Sequence, residues 1–539
     1  MTFKHLVLSS LILSTSYGFS VHAEPFVTAK TSQAVESSQK EELTQKQAVE
    51  VQAGHYLASR FAQNKHDWSN AAQFLGQVTE LEQHDLDLTI RSMILAMGSG
   101  NVDKAFQIAN QLEASSKENT IIGVFRVVDA FANEDYKRAK RILKSLPDDG
   151  TLKFIGPFVN AWLQAAQGKV NVSDLQDNTI QLYHGILISD FLDDHSDVEK
   201  IIDKALKVED INSSEIERIA DLYGHVGLND KALDLYKKVL TQTPDDQAIL
   251  AKIALLETGN AKPLFKKIET PHQGMAQAFH DIANILYNEN NDESARVFGH
   301  IALHLSPQKT ETRFLLGDIS ARHKHYDAAI DHYNRISKQD EYYLKAQHKI
   351  VDIYDQSDRY DEALQLLNQL LKKQKDTDTY LKIGDVHRHQ KNYKKALKAY
   401  NQAVKHLGDE IPEDYWHIHY VRGIAYEQSD NWPEAEKELK AALAFQPNHP
   451  YVLNYLGYAW ADQDVHLDKA LDMIQKAVDL RPSDGYITDS LGWVLYRTQD
   501  YSGAVRWLER AVELLPYDPT INDHLGLSLI HISEPTRPY

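Results

Sequence analysis

The sequence holds 25 histidines, the side chains with most scope for chemistry, since imidazole ligates metals and moves protons near neutrality. Their spacing does not gather them. His323/His325, His387/His389 and His417/His419 stand two apart, which on a helix turns the rings about 200° from one another. His300 and His304 are four apart and share a face, but no third ligand accompanies them. Solvated or core-edge histidines are therefore the reading adopted, and no metal is expected. Cysteine is absent, which excludes disulfides, thiolate metal sites, a thiol nucleophile and a lipid-modified N-terminal Cys. No glycine-rich loop precedes a Lys-Ser or Lys-Thr pair, and neither a His-Glu-x-x-His nor a Gly-x-Ser-x-Gly pattern occurs. Carboxylates are abundant, yet nothing marks two of them as facing each other across a pocket. The sequence is read as carrying no catalytic residue and no cofactor.

What the sequence does carry is a period. Gly423, Gly457 and Gly492 lie 34 and 35 residues apart; Ala435, Ala470 and Ala504 follow at the same stride, then Ala442, Ala477 and Ala511, and Pro447, Pro482 and Pro516 close each unit. Leu525-Gly526 opens a further unit. Each unit reads as two amphipathic helices joined by a short turn. The Gly and the two Ala are expected where the helices cross closely, so that a larger side chain would overpack the contact by roughly 1–3 kcal/mol. An aromatic three residues before the first Ala, Trp432 or Tyr501, is expected to wedge the corner. The proline starts the next turn. One such pair cannot bury its own apolar face and must stack on its neighbours.

With the first Ala as a ruler the pattern extends backwards through Ala71, Ala105 and Ala139, then Val198 and Ala232, then Ala295, Ala329, Ala363 and Ala396. The unit marked by Ala261, Phe265 and Ile268 looks shortened, the partner helix near Ser173 is weakly marked, and a longer loop is expected at 408–413. Thr120–Phe125 is read as a buried helix start rather than a strand. The fold class is all-α: an α-solenoid of about 13–14 stacked helix pairs.

At the N-terminus Lys4 and His5 precede an apolar run from Leu6 to Phe19, and Val21-His22-Ala23 fits a cleavage site. Residues 1–23 are thus expected to be a signal peptide removed after Ala23. Residues 24–51 read as a polar linker, 52–308 as divergent repeats and 309–526 as regular ones, the last incomplete. No later stretch reaches the length of a membrane span. The net charge of −19 argues against a nucleic-acid partner. In register, Pro535 and Pro538 fall where a second helix belongs. The string from Leu527 resembles a translated sequencing adapter, so residues 527–539 are expected to be non-native and the natural chain to continue through further repeat and a capping helix.

The Leu-Gly pair, two alanines and terminal proline at a stride near 34 resemble the tetratricopeptide repeat. The signal peptide, the Tyr56-Leu-Ala-Ser-Arg opening and the Asp518–Gly526 passage resemble long, exported, all-repeat proteins of Gram-negative bacteria; the last passage is typical of a terminal repeat in alphaproteobacterial members. The resemblance implies that the first helix of each pair lines a concave groove where protein or peptide partners lie. Transferred to this sequence, that face takes Tyr420, Ile424 and Glu427, then Asn454, Tyr458 and Ala461, then Asp489, Trp493 and Tyr496. Tyr458, Trp493 and Tyr496 are expected to form an aromatic stripe that anchors a partner. Asp489 and Trp493 replace the Lys and Asn types by which chaperone-type members grip a C-terminal carboxylate, so that ligand is not expected. The implied function is a non-catalytic periplasmic scaffold in envelope assembly or secretion. A component of envelope polysaccharide or cell-wall machinery, and an accessory part of an enzyme continuing past the C-terminus, are the alternatives.

Overall fold

In most helix pairs the chain reverses through a residue in the left-handed region, placed five before the ruler alanine; ahead of Ala470 the left-handed residues are instead Asp464 and His466, six and four before it. Gly100 and Gly227 take this role where no side chain opposes it. Elsewhere His66, Glu134, Asn290, Lys324, Asp358, Lys391, Asp430 and Gln499 hold φ between 56° and 66°. The reversal is stabilised by hydrogen bonds that satisfy the end of the first helix: Asn101 N–H donates to the Ala96 carbonyl and Gly100 N–H to that of Met97, the Schellman arrangement. The following residue often caps the second helix, as Asn101, Asp135, Asn291 and Asp500 do. Asp193, five before Val198, adopts the same conformation, which confirms that Val198 stands in register.

A computed structural model describes residues 51–533 apart from 82–84, 170–174, 176–178, 195–197, 206–212, 242–245, 259–266 and 409. The signal peptide, most of the linker, Ser173, Ala261, Phe265, Pro535 and Pro538 lie outside the described residues. The chain forms two compact units, divided at Tyr343/Leu344; the change from divergent to regular sequence at 308/309 does not coincide with this seam.

The first unit holds α1 (residues 51–64), α2 (Trp68–Leu81), α3 (Leu86–Gly98), α4 (Val102–Gln111), α5 (Thr120–Ala132), α6 (Tyr136–Leu143), α7 (Gly150–Ala165), α8 (Thr179–Phe191), α9 (Val198–Ala205), α10 (Ser213–His225), α11 (Asn229–Leu240), α12 (Gln247–Glu257), α13 (Pro271–Asn288), α14 (Asp292–Leu305), α15 (Thr310–Arg322) and α16 (Tyr326–Asn334). From the seam onward come α17 (Tyr342–Gln356), α18 (Tyr360–Lys373), α19 (Thr377–His389), α20 (Tyr393–Leu407), α21 (His417–Glu427), α22 (Trp432–Phe445), α23 (Pro450–Asp462), α24 (Leu467–Leu480), α25 (Gly485–Arg497), α26 (Tyr501–Leu514) and α27 (Pro519–Ser533). No strand occurs among the described residues, and α5 begins at Thr120 as read from the sequence. The architecture is an all-α solenoid of stacked helix pairs. Among the described residues α7 and α12 have no second helix, because the segments that follow them lie partly outside the description.

The small residues sit at the crossings. Ala71, Ala105, Ala139, Ala232, Ala295, Ala329, Ala363, Ala396, Ala435, Ala470 and Ala504 are all fully buried. A Cβ added at Gly457 would stand 2.8 Å from Ile474 and 3.1 Å from the Ala470 carbonyl; at Gly492 it would stand 2.4 Å from Leu508. The aromatic wedge is equally tight: Trp68 leaves room only for a glycine at Gly98, whose added Cβ would meet the indole at 2.3 Å.

The first unit departs from nearest-neighbour stacking. Its α13 and α14 pack back onto α3, α4, α7 and α8, so its buried apolar residues from Ala62 to Ile319 form one continuous cluster. Gly274 on α13 abuts the Trp162 ring so closely that a Cβ would lie 2.0 Å away, and the Arg296 guanidinium Nε donates to the Gly98 carbonyl at 2.6 Å. Helix faces that a purely sequential stack leaves open are therefore covered here by the chain itself.

Candidate protein-interaction site

In the first unit the covered faces meet through a buried polar chain. The Trp162 indole N–H donates to His184 Nδ1 at 3.0 Å, and His184 Nε2 lies 3.2 Å from Asp281. Because Nδ1 accepts from the indole, Nε2 carries the proton and donates to the carboxylate. Arg218 and Gln277 also donate to Asp281, at 3.4 and 3.0 Å. Burial works to raise the Asp281 carboxyl, but Arg218 and the His184 N–H together hold it below the usual carboxylate range. His184 is fully buried and His280, His300 and His524 nearly so, which corrects for these four the reading of the histidines as solvated or core-edge. His225 with Asp190, His323 with Asp292, His389 with Asp355 and His419 with Glu438 likewise pair with carboxylates. His300 and His304 do not act together: His304 stands edge-on to Phe106 at 5.0 Å, while His300 lies beside His332. Among the described residues no three His, Asp or Glu side chains converge as a metal site requires.

A cleft of about 560 Å³ remains between α4, α5, α13 and α14, lined by Asp103, Gln107, Asp129, His272 and His304 among others. Its polar groups largely satisfy one another: Asn110 donates to Asp129 at 2.9 Å and accepts from Arg138 at 2.8 Å.

The second unit keeps an open cleft among the first helices of its last repeats, of about 240 Å³. Asn454, Tyr455 and Tyr458 come from α23, Tyr486, Asp489 and Ser490 from α25, and Asp518, Thr520 and Ile521 from the start of α27. Three of the nine sequence-derived positions, Asn454, Tyr458 and Asp489, thus share one site. The Asn454 Oδ1 is shielded from water and has no hydrogen-bond partner. Burial, then Asp462 and Asp489, push the Tyr458 phenol up to about 12, so it stays an O–H donor. Tyr486 is 60% exposed at the rim. The lining holds two carboxylates and no Lys or Arg.

The other six positions, Tyr420, Ile424, Glu427, Ala461, Trp493 and Tyr496, do not line the cleft. Tyr420 packs edge-on to Tyr455, 6.1 Å between centroids, and beside His449. Trp493 lies buried with its ring stacked on His524 at 4.2 Å and on Tyr496 at 5.2 Å, and Tyr496 turns toward Tyr501. The aromatic stripe expected from Tyr458, Trp493 and Tyr496 is therefore not presented to a partner as a stripe: two of its rings pack between repeats. The sequence reading missed Tyr455, Tyr486, Ser490 and the α27 start. The available signal was that residues three apart share a helix face: Tyr455 stands three before Tyr458, and Tyr486 three before Asp489.

Sequence profiles described as tetratricopeptide repeat match residues 286–343, 420–485 and 466–519, with two further profiles of that description matching 320–383 and 377–405. A TPR repeat-containing protein of Pseudomonas aeruginosa, PA4667, is 30% identical over 197 residues, 36% of this chain and 32% of its own length. The chain thus spans about a third of that relative. Among solved structures, the Cut9–Hcn1 hetero-tetramer of APC/C is 13% identical over 89% of this chain and 96% of its own, with a TM-score of 0.40. Yeast Tom70 is 12% identical over 89% and 96%, with a TM-score of 0.38. MamA from Desulfovibrio magneticus RS-1 is 23% identical over 32% and 96%, with a TM-score of 0.28. By the period, the buried alanine crossings and the profiles that match there, residues 286–405 and 420–519 of this chain carry tetratricopeptide repeats.

Proposed function

We propose that the chain is a non-catalytic scaffold that holds a protein segment in the cleft between α23, α25 and α27. The observation that carries this reading is the Asn454 Oδ1, an acceptor removed from water with nothing to accept from. Leaving such a group unpaired costs about 1–3 kcal/mol, and a backbone N–H of a bound segment would supply the missing bond. Asp489 and Asp518 favour N–H donors over acids at the same place, and the exposed Tyr486 ring is placed to cover an apolar side chain. The sequence features of a signal peptide support a periplasmic setting, and with it a role in envelope assembly or secretion. The three cleft tyrosines also suit a glycan, which makes cell-wall machinery the competing setting.

Photo-crosslinking from position 486 in an envelope fraction tests the reading. A protein adduct is expected that fades in Asn454→Ala and Tyr458→Ala and does not form from the exposed Lys153 on α7. Adducts of equal strength from both positions, or release of the cleft by purified glycan, would remove the protein-segment reading.

A further inference from the structure

Lys394, Lys398 and Lys405 lie on one face of α20, within about 40° of one another around the helix, and all three are exposed. From Tyr393 to Leu407 that helix has no Asp or Glu. The ion pairs nearby join Lys382 to Asp352 and Arg388 to Asp385 instead. Two repeats on, the three matching positions carry the opposite sign, with the exposed Lys476 at the edge of that face. Ala470 lies 74 residues beyond Ala396, and at that offset Asp468 answers Lys394, Asp472 answers Lys398 and Asp479 answers Lys405. These aspartates are exposed on α24. The repeat explains why the positions correspond; stacking asks only that they be polar, so it does not explain the inversion of charge.

We propose that α20 of one copy docks on α24 of a second copy, in a two-fold dimer whose axis runs along α22. Such an axis keeps the facing helices running in the same direction, the register in which the three lysines meet the three aspartates. It also forms each set of pairs twice. On the axis α22 presents Lys437 and Lys440, which are already paired with Glu434 at 3.5 Å and Glu436 at 3.0 Å, so no bare like charges oppose each other. The net charge of −19 does not prevent the contact, because screening at physiological salt confines electrostatics to within about 8 Å. Among the described residues α20 exposes no large apolar side chain, which disfavours burial of this face in a lipid surface.

Sedimentation of the full chain at about 50 μM, compared with two triple variants, tests the proposal. The wild type is expected to be a dimer that dissociates when sodium chloride is raised to about 1 M. Lys394→Asp/Lys398→Asp/Lys405→Asp, and separately Asp468→Lys/Asp472→Lys/Asp479→Lys, should each weaken self-association at least about tenfold. Mixed in equal amounts, the two variants should form a heterodimer, since one copy then carries acid on both faces and the other base on both. A Lys→Gln triple at 394, 398 and 405 repeats the test without charge reversal, and far-UV circular dichroism checks that each variant is folded. A monomeric wild type, a dimer that survives either reversal, or folded variants that stay apart when mixed would overturn it.

Discussion

Asp489 on α25 accepts a hydrogen bond from the Nδ1–H of His524 on α27 at 2.9 Å, with both side chains about nine-tenths buried. The same imidazole lies flat on Trp493. One side chain of the following repeat thus satisfies a buried carboxylate and closes an indole face. His524→Ala would leave that carboxylate without its donor, a change that costs about 3 kcal/mol or more when the group is buried. The expected outcome is faster amide exchange throughout α25, read by hydrogen-exchange mass spectrometry, with α19 and α20 unchanged. Unaltered protection in α25 would show that the pair contributes nothing to this layer.

Much of this architecture was legible in the sequence, because the ruler alanines report a steric requirement that repeats without regard to neighbours. The same logic hid the rest. Aromatics at groove positions satisfy the pattern whether they face solvent or the next repeat, and only the placement of His524 against Trp493 decides between the two. A signal for the pairing was present: Asp190 and His225, Asp355 and His389, and Asp489 and His524 lie one period apart. The return of α13 and α14 onto α3 and α7 left no periodic trace. It depends on single residues such as Gly274 beneath Trp162 and on Asp281, whose partner His184 stands 97 residues away.

Asp281 makes that return a test of its own. Its carboxylate is reached by His184, Arg218 and Gln277 at once, so Asp281→Ala strands a buried imidazole donor and a guanidinium together. A loss of about 3–5 kcal/mol is expected, seen as a lower midpoint in chemical denaturation of the full chain. Arg218→Ala should cost less, because the Arg218 side chain is 38% exposed and water replaces part of what it gives. Equal losses in the two variants would show that the carboxylate is not the centre of the network.

The buried imidazoles of the first unit set a pH dependence. Burial, aided by Lys309, lowers His280 to about 4; burial with Arg296 lowers His332 to about 4 and His300 well below its ordinary value. The unfolded chain protonates these rings near 6.5 while the folded chain does not, so unfolding takes up protons between about 6.5 and 4. Stability contributed by the neutral rings is complete above 6.5 and is lost as pH falls toward 4. Thermal melts across that window should therefore show the melting temperature of the first unit falling with acid. His332→Gln should flatten the slope. A melting temperature independent of pH between 4 and 6.5 would contradict the burial of these rings as neutral groups.

Gly492 and Gln499 lie seven residues apart and should respond in opposite directions to substitutions of one carbon scale. At Gly492 an added methyl meets Leu508 Cγ at 2.4 Å and the Ala504 carbonyl oxygen at 3.3 Å. The leucine can shift but the helix backbone behind it cannot, so Gly492→Ala should destabilise by about 1–3 kcal/mol. Gln499 instead carries a side chain where φ is 66°, a conformation that disfavours any Cβ. Gln499→Gly relieves that strain against a smaller loss of unfolded-state order, for a net gain of roughly 0.5 kcal/mol. Urea denaturation of the two single variants and of the double variant reads both effects; with independent causes the double should fall at their sum. A destabilised Gln499→Gly would mean that the glutamine side chain, rather than the left-handed backbone, holds the turn between α25 and α26.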